Sequence, residues 1–471
     1  MIARFASSRI LPWLAFAAFA LLAVLISPIG YVGGHNDDWR YLEAARCWVA
    51  NAGPCLATNH WATRWPTLAP IAVLTGALGE SRLTLGLAML PTWIAVTVLL
   101  GWLGRLWLGR TAGLTAAAVL LATPVVTQSA LQPNVDLPEL AFQLAALVAA
   151  THAYRSQRRS LAIVAGVLAA LAVQCRDTSV LFCAAAALAW LFLPAEHRRI
   201  LLWALAGFAL AMGVELIAYA VATGDPLFRY RLALHHGAIP TDELPATVAF
   251  GQTPLLNPAY IANWRREMGI ALWWPLDPWL NLVASPRIGF TLIAGTVLGA
   301  SQWRHLDRPA RRLLATAVAG AALIVVALVY VLAIDPKPRM FLLLVAAAAL
   351  VIGASLSAAR RAGRGAVPQI AVVLLLILGF VTLSRFTTTR DYERLATRWL
   401  AEHPGELTLD PNAVSTLALV PGTAALPHRP GERRFRIAGG NEPCAAYEGR
   451  TVDRSAVIGG GQLCLQDTAT R

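Results

Sequence analysis

The sequence predicts an all-α polytopic membrane protein of about eleven transmembrane helices, followed by a small C-terminal α/β domain outside the membrane. Three observations predict it. Hydrophobic residues make up 57% of the 471 and charged residues only 14%, where soluble domains carry about 25% charged. Apolar runs suited to a hydrocarbon core of ~30 Å recur from Ile10 to Ser384. Arginine clusters separate these runs in a regular alternation.

The apolar segments fall at 10–30, 83–104, 111–128, 137–153, 161–175, 178–193, 200–222, 284–302, 313–334, 340–358 and 367–384. The first follows Arg4 and Arg9, is too long for a signal-peptide core and lacks a small-residue cleavage site, so it reads as a retained signal anchor. With the N-terminus inside, Arg105/Arg110, Arg155/Arg158/Arg159, Arg198/Arg199, Arg304/Arg308/Arg311/Arg312 and Arg360/Arg361/Arg364 all fall on the cytoplasmic side. That places the chain as a multi-pass protein of the cytoplasmic (inner) membrane. The first outer loop is then 31–82, with further outer loops at 129–136 and 223–283.

Two apolar stretches are not regular spans. Residues 67–79 are too short and suit an interfacial or re-entrant helix. Residues 268–283, with Trp273, Trp274, Pro275, Pro278 and Trp279, suit an interfacial segment. The chain therefore divides into a membrane module, 1–384, and a periplasmic domain, 385–471. In the latter, 391–402 has helical spacing and 406–409 reads as a strand. Cys47 and Cys55 share the first outer loop, and Cys444 and Cys464 share the tail. Both are candidate disulfides in an oxidising compartment. Cys175 and Cys183 read as small buried hydrophobes.

The net charge of +13 does not indicate nucleic acid, because its arginines sit in short loops between apolar runs. No Walker motif occurs, and no dinucleotide glycine motif follows a strand. Gly459-Gly460-Gly461 reads as a flexible turn.

The chemistry-bearing candidates stand at outer boundaries. Asp37 and Asp38 follow the first apolar run, and adjacent carboxylates at a membrane edge repel each other unless they have a partner or a task. One of them could instead cap a helix beginning near Trp39. Capping explains one aspartate but not both. Asp136 opens the run after 129–136, where an aspartate shortly before Pro138 is also an ordinary helix start. Arg176, Lys337 and Arg339 are outer-boundary cations able to hold a phosphate, or to anchor at headgroups.

In this order the motifs resemble the GT-C superfamily of integral-membrane glycosyltransferases, which includes protein O-mannosyltransferases and aminoarabinose transferases. The resembling segments are Asp37-Asp38, His60-Trp61 through Pro66 and Leu68, Gly104-Arg105-Leu106-Trp107-Leu108-Gly109-Arg110, Asp136, and Pro338-Arg339-Met340. Methionine follows Arg339 where that family usually has tyrosine, and proline is sparser after His60. The resemblance implies transfer, with inversion, of a sugar from a polyprenyl-phosphate donor to a hydroxyl of a glycan, lipid or protein acceptor. It implies Asp37 as base, with Asp38 and Asp136 assisting or completing a Mg²⁺ or Mn²⁺ site with Asp37. Arg339, Lys337 and Arg176 would hold the donor phosphate. His60, Arg64 and His235 would meet acceptor or other substrate. The competing readings are a transporter or flippase of envelope lipids or glycans, and a non-enzymatic assembly protein. No internal repeat favours the former.

Overall fold

The computed structural model describes residues 37–55, 60–130, 132–191, 195–235, 275–332 and 337–385, four strands within 408–467, and the isolated residues 17, 20, 21, 270, 272 and 273. The first apolar run, apart from three helical residues, lies outside the described residues.

From the N-terminal side the helices are α1 (Asp37–Ala50), α2 (Trp65–Leu78), α3 (Arg82–Leu108), α4 (Arg110–Ala122), α5 (Pro124–Ala130), α6 (Asp136–Ser156), α7 (Arg159–Cys175), α8 (Val180–Leu191), α9 (Ala195–Thr223) and α10 (Phe228–His235). After an interval they resume as α11 (Asp277–Ala284), α12 (Gly289–Gln302), α13 (Arg308–Val326), α14 (Leu342–Arg361) and α15 (Ala366–Arg385). Ten of the eleven expected apolar segments thus correspond to described helices. Five are long and apolar enough to cross a membrane, or seven if the bent pairs α4–α5 (70°) and α11–α12 (102°) each count as one span. The count among the described residues falls below eleven because the first run lies outside them, α7 and the 177–189 segment are short, and α6 carries Asp136, Glu139 and Arg155. By these helices the chain is an integral membrane protein.

The alanine-rich α14 is central: 78% of its apolar window is buried, against 17% for the α9 span. Small side chains let neighbouring backbones approach closely, which drives association where the surrounding lipid is as apolar as the core. The α7–α9 crossing depends on this. A Cβ on Gly166 would sit 1.8 Å from the Ala204 carbonyl oxygen, and one on Gly207 2.2 Å from that of Ile163. Gly109 turns α3 into α4 at φ +93°, a conformation that favours glycine.

The irregular stretch at 67–79 is α2, opened by Pro66 near its first position. Residues 277–284 form α11. In the tail, β1 (Thr408–Leu409), β2 (Arg433–Ala438), β3 (Thr451–Asp453) and β4 (Gln462–Asp467) form one sheet in the order β1-β2-β4-β3. β1 runs parallel to β2, and the other pairs are antiparallel. The expected helix at 391–402 lies outside the described residues.

Candidate active site

α1 starts two residues earlier than the sequence suggested, so Asp37 and Asp38 both occupy its first turn, where the helix dipole favours negative charge. The inner face of α1 is fixed by fully buried Tyr41, Leu42 and Ala45, packed with Leu68 and Ile71 of α2 and Leu85 and Met89 of α3. At its far end Cys47 and Cys55 form a disulfide. Cys444 lies outside the described residues, and Cys175 and Cys183 are free.

Asp37 is ringed by donors. Trp61 Nε1–H donates to Oδ1 at 3.2 Å, and the Arg339 guanidinium donates to Oδ2. Burial alone would raise its pKa, but Arg339, then Arg64 and Lys337, pull it below the ordinary aspartate value of 3.8. Arg64 donates through Nη1 to Tyr41 Oη at 2.5 Å. Burial pushes the Tyr41 phenol up to about 12, so it stays protonated. His60 is buried and stacks on Trp61, ring centroids 3.8 Å apart.

Arg339 stands in a 3₁₀ turn, Pro338–Phe341, just before α14. It faces a second carboxylate as well: its Nε is 3.6 Å from Asp136 Oδ2. Asp136 is 4% exposed, and its Oδ1 accepts from Arg176 Nη1 at 2.6 Å. Asp136 is not the cap of α6. Asn134 does that, its Oδ1 accepting the Leu137 N–H at 3.0 Å, which leaves the Asp136 carboxylate for the two arginines. The result is an alternating chain of charge: Asp37, Arg339, Asp136, Arg176, and then Glu139 3.8 Å beyond.

Beneath Arg339 a narrow cleft lies between α6, α8, α13 and α14. Asp136, Glu139 and Gln143 line one side, and Ile324, Leu328, Leu342 and Leu343 the other. The cleft is amphipathic, with polar side chains on α6 facing apolar ones on α13 and α14.

A buried arginine absent from the sequence expectations supports the Arg176 turn. Arg229 of α10, fully buried, donates to Glu215 Oε1 at 2.7 Å, the Val173 carbonyl at 3.0 Å and Asp177 Oδ1 at 3.1 Å. Burial opposes its charge, but Asp177 and Glu215 hold its pKa above normal, so it remains a cation. Glu215, an acid within an apolar run, was the available signal, since such a group requires a partner. α10 packs beside the His60–Thr63 turn, and Tyr219 Oη donates to the Thr63 carbonyl at 3.3 Å. His235 ends α10; its side chain lies outside the described set.

The structure therefore brings Asp37, Asp136, Arg176 and Arg339 into one network, with Lys337 and Arg64 acting on Asp37 through space. Asp38 sits beside Asp37, half-buried. A divalent cation does not fit this arrangement: the Arg339 guanidinium already bridges Asp37 and Asp136. Among the described residues no three His, Cys, Asp or Glu side chains converge.

Residues 66–223 match the family model described as dolichyl-phosphate-mannose-protein mannosyltransferase. No curated protein matches. Among solved structures, the oligosaccharyltransferase of Archaeoglobus fulgidus tethered to an acceptor peptide aligns with a TM-score of 0.56 at 12% identity, over 88% of this chain and 63% of its own. The same archaeal AglB with an inhibitory peptide and dolichol-phosphate aligns at 0.53 and 13% identity, over 90% and 61%. ArnT from Cupriavidus metallidurans bound to undecaprenyl phosphate aligns at 0.42 and 16% identity, over 97% and 98%. The chain spans about three-fifths of the oligosaccharyltransferase chains it matches, and at these identities the archaeal likeness is one of fold. The resemblance read from the sequence is thus met by a mannosyltransferase family model over residues 66–223 and by the fold shared with the archaeal oligosaccharyltransferase.

Proposed function

We propose that this chain transfers a sugar from a polyprenyl-phosphate donor to a hydroxyl acceptor, with inversion, on the non-cytoplasmic face of the membrane. What supports this reading is one arrangement: two carboxylates joined through Arg339 at the mouth of a cleft that is polar on one side and apolar on the other. The relatives' printed ligands, dolichol-phosphate and undecaprenyl phosphate, are of the class such a cleft would accept. Sidedness is supported by helix polarity. α6 and α14 begin at Asp136 and beside Arg339 and end at Arg155 and Arg360/Arg361, so the cytoplasmic-type arginines lie at the opposite ends from the site.

In this mechanism the donor phosphate enters at Arg339 and Arg176, whose guanidinium groups suit its oxygens. Arg339 then exchanges Asp37 for phosphate. Asp37, released from its strongest cation, becomes more basic at the moment a hydroxyl is to be deprotonated. The acceptor oxygen loses its proton to Asp37 and bonds to the anomeric carbon as the bond from that carbon to the phosphate oxygen breaks. Polyprenyl phosphate departs with the electron pair, its growing charge neutralised by Arg339 and Arg176. Asp136 holds both arginines in register, and Asp38, His60, Arg64 and His235 border the acceptor side. No step runs through a metal ion. The membrane module, 1–384, carries this chemistry, and 385–471 forms an appended outer domain.

The test is Asp37→Asn in membranes supplied with labelled donor lipid. Transfer should fall by about 10²–10⁴, the usual range for a lost general base. Full transfer at equal protein level would remove the reading and return the chain to the transporter or assembly alternatives.

A further inference from the structure

The two walls of the cleft ask for different chemistry. Ile324 and Leu328 of α13, with Leu342 and Leu343 of α14, form a surface that an isoprenoid chain would cover. The opposite wall descends α6, where Asp136, Glu139 and Gln143 recur at three- and four-residue intervals and so share one face. Thr178 and the ring of Phe182 complete that side.

This polar wall is built in advance. Glu139 Oε1 accepts from the Ser179 hydroxyl at 2.5 Å and from Gln143 Nε2 at 3.2 Å. Gln143 Nε2 also donates to Ser179 Oγ at 2.9 Å. These bonds fix both end groups and leave two acceptors over. Glu139 Oε2 has only Arg176 Nη1 at 3.8 Å, beyond hydrogen-bond distance. The Gln143 carbonyl oxygen has no hydrogen-bond partner among the described residues, although the residue is 5% exposed. Both residues line the cleft, and an isoprenoid carries no donor for acceptors placed there.

We propose that Glu139, Gln143 and Phe182 form the subsite for the donor's sugar ring, which supplies hydrogen-bond donors to the two free acceptors and a flat face to the phenyl ring. This rests on the transferase reading above and names the sugar class it would use. The ring must present hydroxyl or ammonium donors; a carboxylated sugar would meet Glu139 and Asp136 as like charges.

The experiment titrates the purified full chain, in lipid nanodiscs, with a C20 polyprenyl phosphate and its mannosyl, 4-amino-arabinosyl and glucuronosyl derivatives. The mannosyl or amino-sugar form should bind more tightly than the bare phosphate, and the glucuronosyl form should not. Glu139→Gln and Gln143→Leu should each weaken the favoured form by about three- to tenfold, and Gln143→Leu should leave bare polyprenyl phosphate unchanged, which also reports that this variant is folded. A larger effect of Glu139→Gln on the amino sugar than on mannose would identify an ammonium ligand; equal effects would identify hydroxyls. The subsite is ruled out if the sugar adds no affinity, or if the variants weaken bare phosphate equally. If the wild type binds no polyprenyl phosphate at all, the transferase reading falls with it.

Discussion

Arg176 and Asp136 meet at 2.6 Å at the N-terminal end of α6, and the pair is possible because Asn134 takes the Leu137 N–H. With the Leu137 N–H taken by Asn134, the Asp136 carboxylate is free to bind one guanidinium through Oδ1 and face another, Arg339, through Oδ2. A single side chain thus sets the spacing of the two cations assigned to the donor phosphate.

Removing that cap should be visible in both stability and binding. Asn134→Ala is expected to cost about 1 kcal/mol and to draw Asp136 towards the open Leu137 N–H, raising the donor KM more than it lowers kcat. Asn134→Asp restores the cap but sets a carboxylate oxygen against the Gln132 and Ser129 carbonyls that the amide donates to, so it should recover only part of the loss. Thermal unfolding in detergent with steady-state kinetics checks this; an Asn134→Ala enzyme with an unchanged KM would separate the cap from the site.

The acid limb of activity follows from Asp37. Its pKa in the folded protein lies below the ordinary 3.8, held there against burial by Arg339, Arg64 and Lys337. The depressed value means its contribution to stability is present above the unfolded pKa and lost as pH falls through the folded one. The kcat/KM profile, which reports the free enzyme, should therefore lose activity only below that ordinary value. The kcat profile should lose it at higher pH, because the bound phosphate has taken Arg339 from Asp37. Arg339→Met should raise the kcat/KM limb towards the kcat limb. Coincident limbs in the wild type would contradict the exchange of partners.

Arg229→Met should destabilise the chain by about 3–5 kcal/mol, because Glu215 is left buried without its cation. The double variant Arg229→Met with Glu215→Leu should regain much of that loss. The measurement is thermal unfolding of both in the same detergent; equal losses would mean the cost lies in packing rather than charge.

Opening the Cys47–Cys55 bridge should act locally. The loop spans 8 residues, for which chain entropy gives roughly 2–3 kcal/mol. Hydrogen exchange should quicken in 37–55 on reduction, or in a double Cys→Ser variant, while α14 remains protected. Uniform quickening would show that the loop supports the whole bundle.

The helices were legible because apolar length and arginine alternation are written locally. Asp37, Asp136 and Arg339 were legible as boundary charges in a familiar order. What joins them was not, since pairing across the bundle is a property of packing. Glu139 and Gln143 could have been found, because their spacing from Asp136 puts them on its face of α6. Arg229 does not stand out in the sequence, and only its burial distinguishes it. That Asn134 rather than Asp136 takes the Leu137 N–H was not legible, because both residue types cap helices and only coordinates decide which oxygen reaches the amide.

The Asp37–Arg339 bond joins groups 302 residues apart in the chain. At about 5–20 residues per second of synthesis, the first carboxylate waits roughly 15–60 s for its partner to emerge from the ribosome. During that interval Asp37 has Arg64 near it but lacks Arg339, the cation that bonds its carboxylate. A chain cut anywhere before residue 339 therefore lacks the bridge that joins Asp37 to Asp136.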